Sequence, residues 1–203
     1  MNGDCCSSTC QYEAADSSCP SDGDPCTVDT CDGAGGCGQL PTGCKTASKS
    51  LLLLKNNASD DSKDKLTWKW LKGADTTLGE LGSPTSTSDY TLCLYAGTST
   101  AAVAIPAGSN WQPLGTAGFK YKDASGTGAP GGAQKALLKS GAAGKSKVLV
   151  KGKGTALPDT LVPTLPLPVK AQLVNDESSV CYEAVYNAPQ VIKNDAKQFK
   201  AKQ

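Results

Sequence analysis

Leu66-Thr67-Trp68-Lys69-Trp70-Leu71-Lys72-Gly73 alternates side chains from one position to the next until it meets a glycine. In an extended chain this puts Leu66, Trp68 and Trp70 on one side and Thr67, Lys69 and Leu71 on the other, the pattern of a strand with one buried and one wet face. Tyr90, Leu92 and Leu94 alternate in the same way with Thr91, Cys93 and Tyr95, and Phe119 and Tyr121 with Lys120 and Lys122. So do Val148 and Val150 with Lys147 and Lys151, and Val180, Tyr182 and Ala184 with Cys181 and Glu183. Bounded by Gly, Pro, Ser and Asn, such runs predict about nine strands, near 50–55, 65–72, 89–96, 101–106, 117–122, 134–139, 146–151, 168–174 and 179–187. The fold class that follows is all-β, an antiparallel β-sandwich. Helical periodicity is weak throughout. Only the tail from Asn194 to Gln203 reads as a short amphipathic turn, around Phe199, and the proline-rich Leu157–Pro168 segment suits an edge or a crossover.

Upstream of these strands the composition changes. Residues 1–44 hold Cys5, Cys6, Cys10, Cys19, Cys26, Cys31, Cys37 and Cys44, with Gly, Ser, Asp and Pro filling the gaps. So many cysteines among so few large apolar residues predict a small, loop-dominated module held by disulfides in an oxidising compartment. The expected organisation is a disulfide-rich module over 1–44, a linker over 45–49 and a lysine-rich β-sandwich over 50–203. The many connectivities open to eight cysteines stay open. A ring closed between neighbours is strained, so Cys5 and Cys6 are expected to reach different loops. In the body, a Cys93–Cys181 bridge is favoured over two buried thiols or a cross-link to the head, closing nearly ninety residues for about 4–5 kcal/mol.

Charge divides along the same boundary. The head carries Asp4, Glu13, Asp16, Asp22, Asp24, Asp29 and Asp32 and no lysine, whereas all 20 basic residues, every one a lysine, lie beyond it, and the net charge is +1. The chain has no histidine, which removes Ser-His-Asp and Cys-His catalysis, and no arginine, which removes the planar fork that reads guanine edges. No apolar run approaches the roughly 20 residues of a membrane-spanning helix. An enzyme is not expected. Carboxylates such as Glu80, Asp89, Asp176, Glu177 and Glu183 carry no mark of a catalytic pair, and Glu183 is explained by a cross-strand lysine.

Three groups of residues offer binding chemistry. Asp22, Asp24, Asp29 and Asp32 are hard oxygen ligands close together on a turn-rich scaffold, a candidate calcium site, although aspartates also cap turns. Zinc is not expected, because the cysteine gaps lack short paired knuckles. Trp111, Trp68 and Trp70, with Tyr90 and Tyr121, are candidates for an aromatic platform that stacks sugar rings, Trp111 being the one expected to be exposed. The same pattern on Trp68 and Trp70 also describes an ordinary core face. Lys69, Lys120, Lys122, Lys147, Lys151 and Lys153 fall on the wet sides of their strands, facing acidic polysaccharide, lipid headgroups or the protein's own acidic head, or serving solubility alone.

The residues also carry resemblances. Asn2-Gly3-Asp4-Cys5-Cys6-Ser7-Ser8-Thr9-Cys10 resembles the second half of the myxococcal-type disulfide-rich repeat. Asp22 to Cys37, with Cys26-Thr27-Val28-Asp29-Thr30-Cys31, resembles the extracellular Cys-Thr-x-Asp-x-Cys repeat of slime-mould matrix proteins and secreted bacterial proteins. The body, through Leu66–Gly73, Asp89–Tyr95, Gly118–Asp123 and Ala143–Gly154, is similar to a C-terminal domain of secreted or surface proteins of myxobacteria and related bacteria. That family often has a cysteine pair before the tryptophan matching Trp111, where this chain has Ser109-Asn110. The resemblances imply a secreted or cell-surface bacterial protein and no particular activity. The first repeat is cut at Met1, so the native chain is expected to extend upstream into an export signal and further repeats. The expected function is a structural or interaction module of an extracellular matrix or assembly, partnered by other proteins, polysaccharide or further copies of itself. The alternative is a carbohydrate-binding module around Trp111.

Overall fold

The computed structural model describes residues 5–7, 9, 11–15, 17–20, 23–123, 129, 131–158 and 164–203. Contacts divide the chain into two units, Met1–Gly43 and Cys44–Gln203. Cys10, Asp22 and Pro163 lie outside the described residues.

In the first unit β1 (Val28–Cys31) and β2 (Cys37–Gln39) form an antiparallel hairpin. Its turn is built on Asp32, whose Oδ1 accepts from the amides of Ala34 at 2.7 Å and Gly36 at 2.9 Å. Gly33 and Gly35 take φ of 77° and 97°, the left-handed region that a side chain resists. Disulfides Cys5–Cys31 and Cys19–Cys37 tie both hairpin strands to the segments before them, and Ser18 bridges to Thr30. With a second isolated bridge between Cys6 and Tyr12, the described residues of this unit form only short ladders, so cross-links supply what a core of this size cannot.

The second unit is all-β. Its strands are β3 (Lys45–Lys55), β4 (Lys65–Gly73), β5 (Tyr90–Ala96), β6 (Ser99–Ile105), β7 (Trp111–Pro113), β8 (Gly118–Lys122), β9 (Ala133–Lys139), β10 (Ser146–Lys153), β11 (Val169–Asn175), β12 (Ser178–Tyr186), β13 (Val191–Asp195) and β14 (Gln198–Lys202). All nine expected segments are strands. One hydrogen-bonded path runs β6-β5-β11-β12-β3-β4-β10-β9-β8-β7, with the β13–β14 hairpin attached to β3. The joint is β3. Its first residues, Lys45 and Thr46, pair parallel with Tyr182 and Glu183 of β12, while Leu51–Lys55 pair antiparallel with β14. Residues 45–49, expected as a linker, are therefore the first half of a strand.

The sheet curls so that the apolar sides of its two halves share one core. Leu66, Trp68 and Trp70 of β4 face Tyr90, Leu92, Leu94, Tyr182 and Tyr186 within a single buried cluster. Each fully buried aromatic removes about 150–250 Å² from water, worth about 4–6 kcal/mol gross at ~25 cal/mol per Å². Trp70 is fixed twice over. Its ring meets Tyr182 edge-on at 5.2 Å, and its Nε1 donates to the Glu183 carbonyl at 3.1 Å. Gly73 closes β4 because a Cβ there would stand 1.8 Å from the Trp70 ring.

The tail does not form the helical turn expected around Phe199. Asp195 Oδ1 caps a tight turn through the amides of Lys197 and Gln198, and Phe199, 1 % exposed, enters the core from β14. The lysines on both sides of Phe199 imitate a polar helix face, but Phe199 and Ala201 are the buried partners of a period-two strand.

Candidate interaction surface: the lysine-covered sheet face

The strands that bury Trp68, Trp70, Leu138, Val148 and Val150 turn their other side chains outward. Cross-strand registers set these in rows. One row reads Lys122, Lys135, Lys151, Thr67, Leu53 and Lys200 from β8 to β14. The next reads Lys120, Leu137, Leu149, Lys69, Leu51 and Lys202. A third reads Gly118, Lys139, Lys147, Leu71 and Lys49, and beyond the first row Lys153, Lys65 and Lys55 stand side by side. Lys120, Lys122, Lys135, Lys139, Lys147 and Lys151 are exposed, and the leucines between them are half-buried. Lysine suits this setting, since its methylene stem covers apolar surface while its ammonium stays in water.

Acids are nearly absent from this half of the sheet. Asp195, in β13 at its border, is the only carboxylate in the strands that build it, and it pairs with Lys193. The other ion pairs among the described residues, Lys45–Glu80, Lys63–Asp60 and Lys170–Glu183, involve none of the row lysines. Lys122–Lys135–Lys151 and Lys139–Lys147 thus place like charges directly opposite one another on neighbouring strands, each costing about 0.2–1 kcal/mol. Sequence alternation identified Lys69, Lys120, Lys122, Lys147, Lys151 and Lys153 as outward. It did not find Lys135 and Lys139 because the Gln134–Lys139 stretch puts leucine on both faces and glutamine on the inner one; only register joins them to the rows.

The aromatic platform is not present as expected. Trp68 and Trp70 are fully buried and Trp111 is 3 % exposed. Trp111 lies between Tyr121, edge-on at 5.2 Å, and Tyr90 at 6.0 Å, and its Nε1 donates to the Pro106 carbonyl at 3.0 Å. Its Gly/Ser/Pro neighbourhood describes the backbone of a turn; the short strand β7, unrecognised in the sequence, swings the indole inward. Tyr90 and Tyr121 are equally buried, and burial raises both phenols above the ordinary tyrosine range.

Two of the described aspartates of the head, Asp24 and Asp32, act on the backbone. Asp24 Oδ1 accepts from the Cys26 amide at 2.8 Å, and the two amides on Asp32 hold its carboxyl below the usual carboxylate range. Asp24, Asp29 and Asp32 do not converge. Among the described residues the one group of metal-type ligand atoms within 4.8 Å is Cys5, Cys19 and Cys31, whose sulfurs are spent in disulfides.

Cys181 is bonded to Cys44, not to Cys93. Cys93 on β5 lies opposite Gln172 of β11, and Cys181 on β12 opposite Val174 of the same strand. An intervening strand separates two such positions by roughly 9–10 Å, beyond the reach of a disulfide. Cys44, counted with the head in the sequence, belongs to the body and staples the start of β3 to β12.

The remaining carboxylates are committed to structure. Glu80 pairs with Lys45 at 2.6 Å and caps Thr77, which together lower its pKa. Asp89 accepts from the Ala107 amide at 2.6 Å, Asp176 from the Asp89 amide at 2.8 Å, and Glu177 from Ser88. Burial raises Asp176. Glu183 pairs with Lys170 at 3.5 Å, the cross-strand lysine its position called for, and accepts from Gln172 at 2.7 Å. No helix among the described residues is long and apolar enough to cross a membrane. No family model, curated protein or solved structure matches the chain.

Proposed function

We propose that the protein is a secreted or cell-surface interaction module without catalytic activity, which holds anionic partners on the lysine-covered face of its body. One observation carries this reading: neighbouring strands oppose lysine to lysine with no acid between them, a cost in stability that a bound polyanion removes. Disulfides in both units support an oxidising, extracellular setting. The Trp111 alternative receives no support, since none of its rings has an open face.

The test is retention of the intact, oxidised chain on an immobilised polyanion such as phosphocellulose. With a net charge of only +1, retention reports segregated charge rather than overall charge. Lys135→Glu with Lys151→Glu is expected to lower the eluting salt markedly. Equal elution of variant and parent rejects the reading.

A further inference from the structure

The ligand of this surface follows from its geometry and from what it lacks. We propose that the face binds a linear acidic polysaccharide carrying one carboxylate or sulfate on each sugar, laid across the strands along Lys122, Lys135 and Lys151 and the neighbouring Lys139 and Lys147. The proposal rests on the reading of the face as the working surface and adds the chemical class that it takes.

Spacing is the first argument. Lys122, Lys135 and Lys151 occupy successive strands in direct register, as do Lys139 and Lys147, so the ammonium groups rise from positions about 4.8 Å apart. That period is close to the length of one extended pyranose ring, so a polymer with a single anion per ring meets a lysine at each step. Duplex nucleic acid presents its phosphates much more densely, one charge per about 1.7 Å of axis, so a ladder spaced at about 4.8 Å leaves most of them unmet.

The second argument is the chemistry of the contact groups. Lysine is a compact, hydrated point charge; it neutralises carboxylate or sulfate without demanding a planar bidentate partner. Of the large aromatic rings of these strands, Trp68, Trp70, Trp111, Tyr121 and Phe199 are buried beneath the face and the half-buried Phe119 packs against the same core, leaving no stacking platform of the kind that single-stranded nucleic acids use. The leucines of the rows are half-buried between exposed lysines, so the rows offer no apolar side chain that projects far enough to enter a bilayer; the exposed Ile192 belongs to β13, outside the rows. What is left is recognition by repeated charge along an extended, soluble polymer.

The experiment measures binding of the intact, oxidised protein at about 50 mM salt to polygalacturonate, galacturonate oligomers of increasing length, neutral dextran, duplex DNA and phosphatidylglycerol vesicles. Polygalacturonate is expected to bind best, and the oligomers to gain affinity with each sugar until the ladder is spanned. Dextran is expected not to bind. The triple variant Lys135→Gln, Lys147→Gln, Lys151→Gln is expected to lose about tenfold or more, and the corresponding triple arginine variant to keep its affinity. Melting that is unchanged in the arginine variant and no lower than the parent's in the glutamine variant, where the lysine repulsions are relieved, shows that the fold is intact. Binding to DNA or vesicles as tight as to polygalacturonate overturns the polysaccharide assignment and leaves the anion-binding face standing. Polygalacturonate binding that the glutamine variant does not weaken overturns the location. Absence of binding to every polyanion overturns both.

Discussion

Asp32 shows how much a single carboxylate can organise where there is no core. It sits on the surface and receives the amides of Ala34 and Gly36, which lower its pKa. A carboxyl whose folded pKa lies below its unfolded one stabilises the fold fully above the ordinary aspartate range, and the contribution fades as pH falls through the depressed value. The protection of the Ala34 and Gly36 amides, their exchange rate relative to the intrinsic rate at each pH, is therefore expected to fall on acidification in the parent and to be low at every pH in Asp32→Asn; an equal pH dependence of protection in both proteins contradicts this role. As a turn former Asp32 was legible from its Gly-rich context. The inward orientation of Trp111 was not, because Gly, Ser and Pro specify how the chain bends and leave open which side of the bend meets the core.

Strand β14 shows what a short element can hide. Phe199 and Ala201 fill the core while Lys200 and Lys202 extend the outer rows, and the strand pairs with β3 from Leu51 to Lys55. Phe199→Ala is expected to cost about 3–5 kcal/mol, read as a fall in the urea midpoint. A loss below about 1 kcal/mol would mean that this strand frays without opening the core. Longer elements were easier to recognise: in β4, β5 and β12 the alternation persists for seven residues or more, and nothing else satisfies it. In β14 and β7 the run is too short to separate a strand from a turn, and their place is decided by partners far along the chain.

For the whole molecule, the cross-links and the charge follow from pairing over long distances. Cys44 and Cys181 are 137 residues apart, so closing that loop is worth about 5 kcal/mol in the chain-entropy account. Cys44→Ser combined with Cys181→Ser is expected to lower stability by about 2–5 kcal/mol in reversible denaturation, while parent protein under mild reduction moves toward the same midpoint; coincident curves for oxidised parent and double variant speak against the bridge as a stabiliser. The sequence supplied the cysteines and the nine strand segments. It could not supply the order of strands, and that order takes Cys181 from Cys93 to Cys44 and gathers scattered lysines into rows.

The double pairing of β3 also bears on how the protein is made. Leu51 meets Lys69 of β4 early, but its second partner is Lys202, and Lys45 pairs with Tyr182. A ribosome must therefore deliver nearly the entire body before the sheet can join its halves, and until then the emerging chain has β4 as its main companion. A polypeptide kept open so late leaves Cys44 and Cys181 apart until the last strands arrive, so this cross-link closes after the chain is nearly complete.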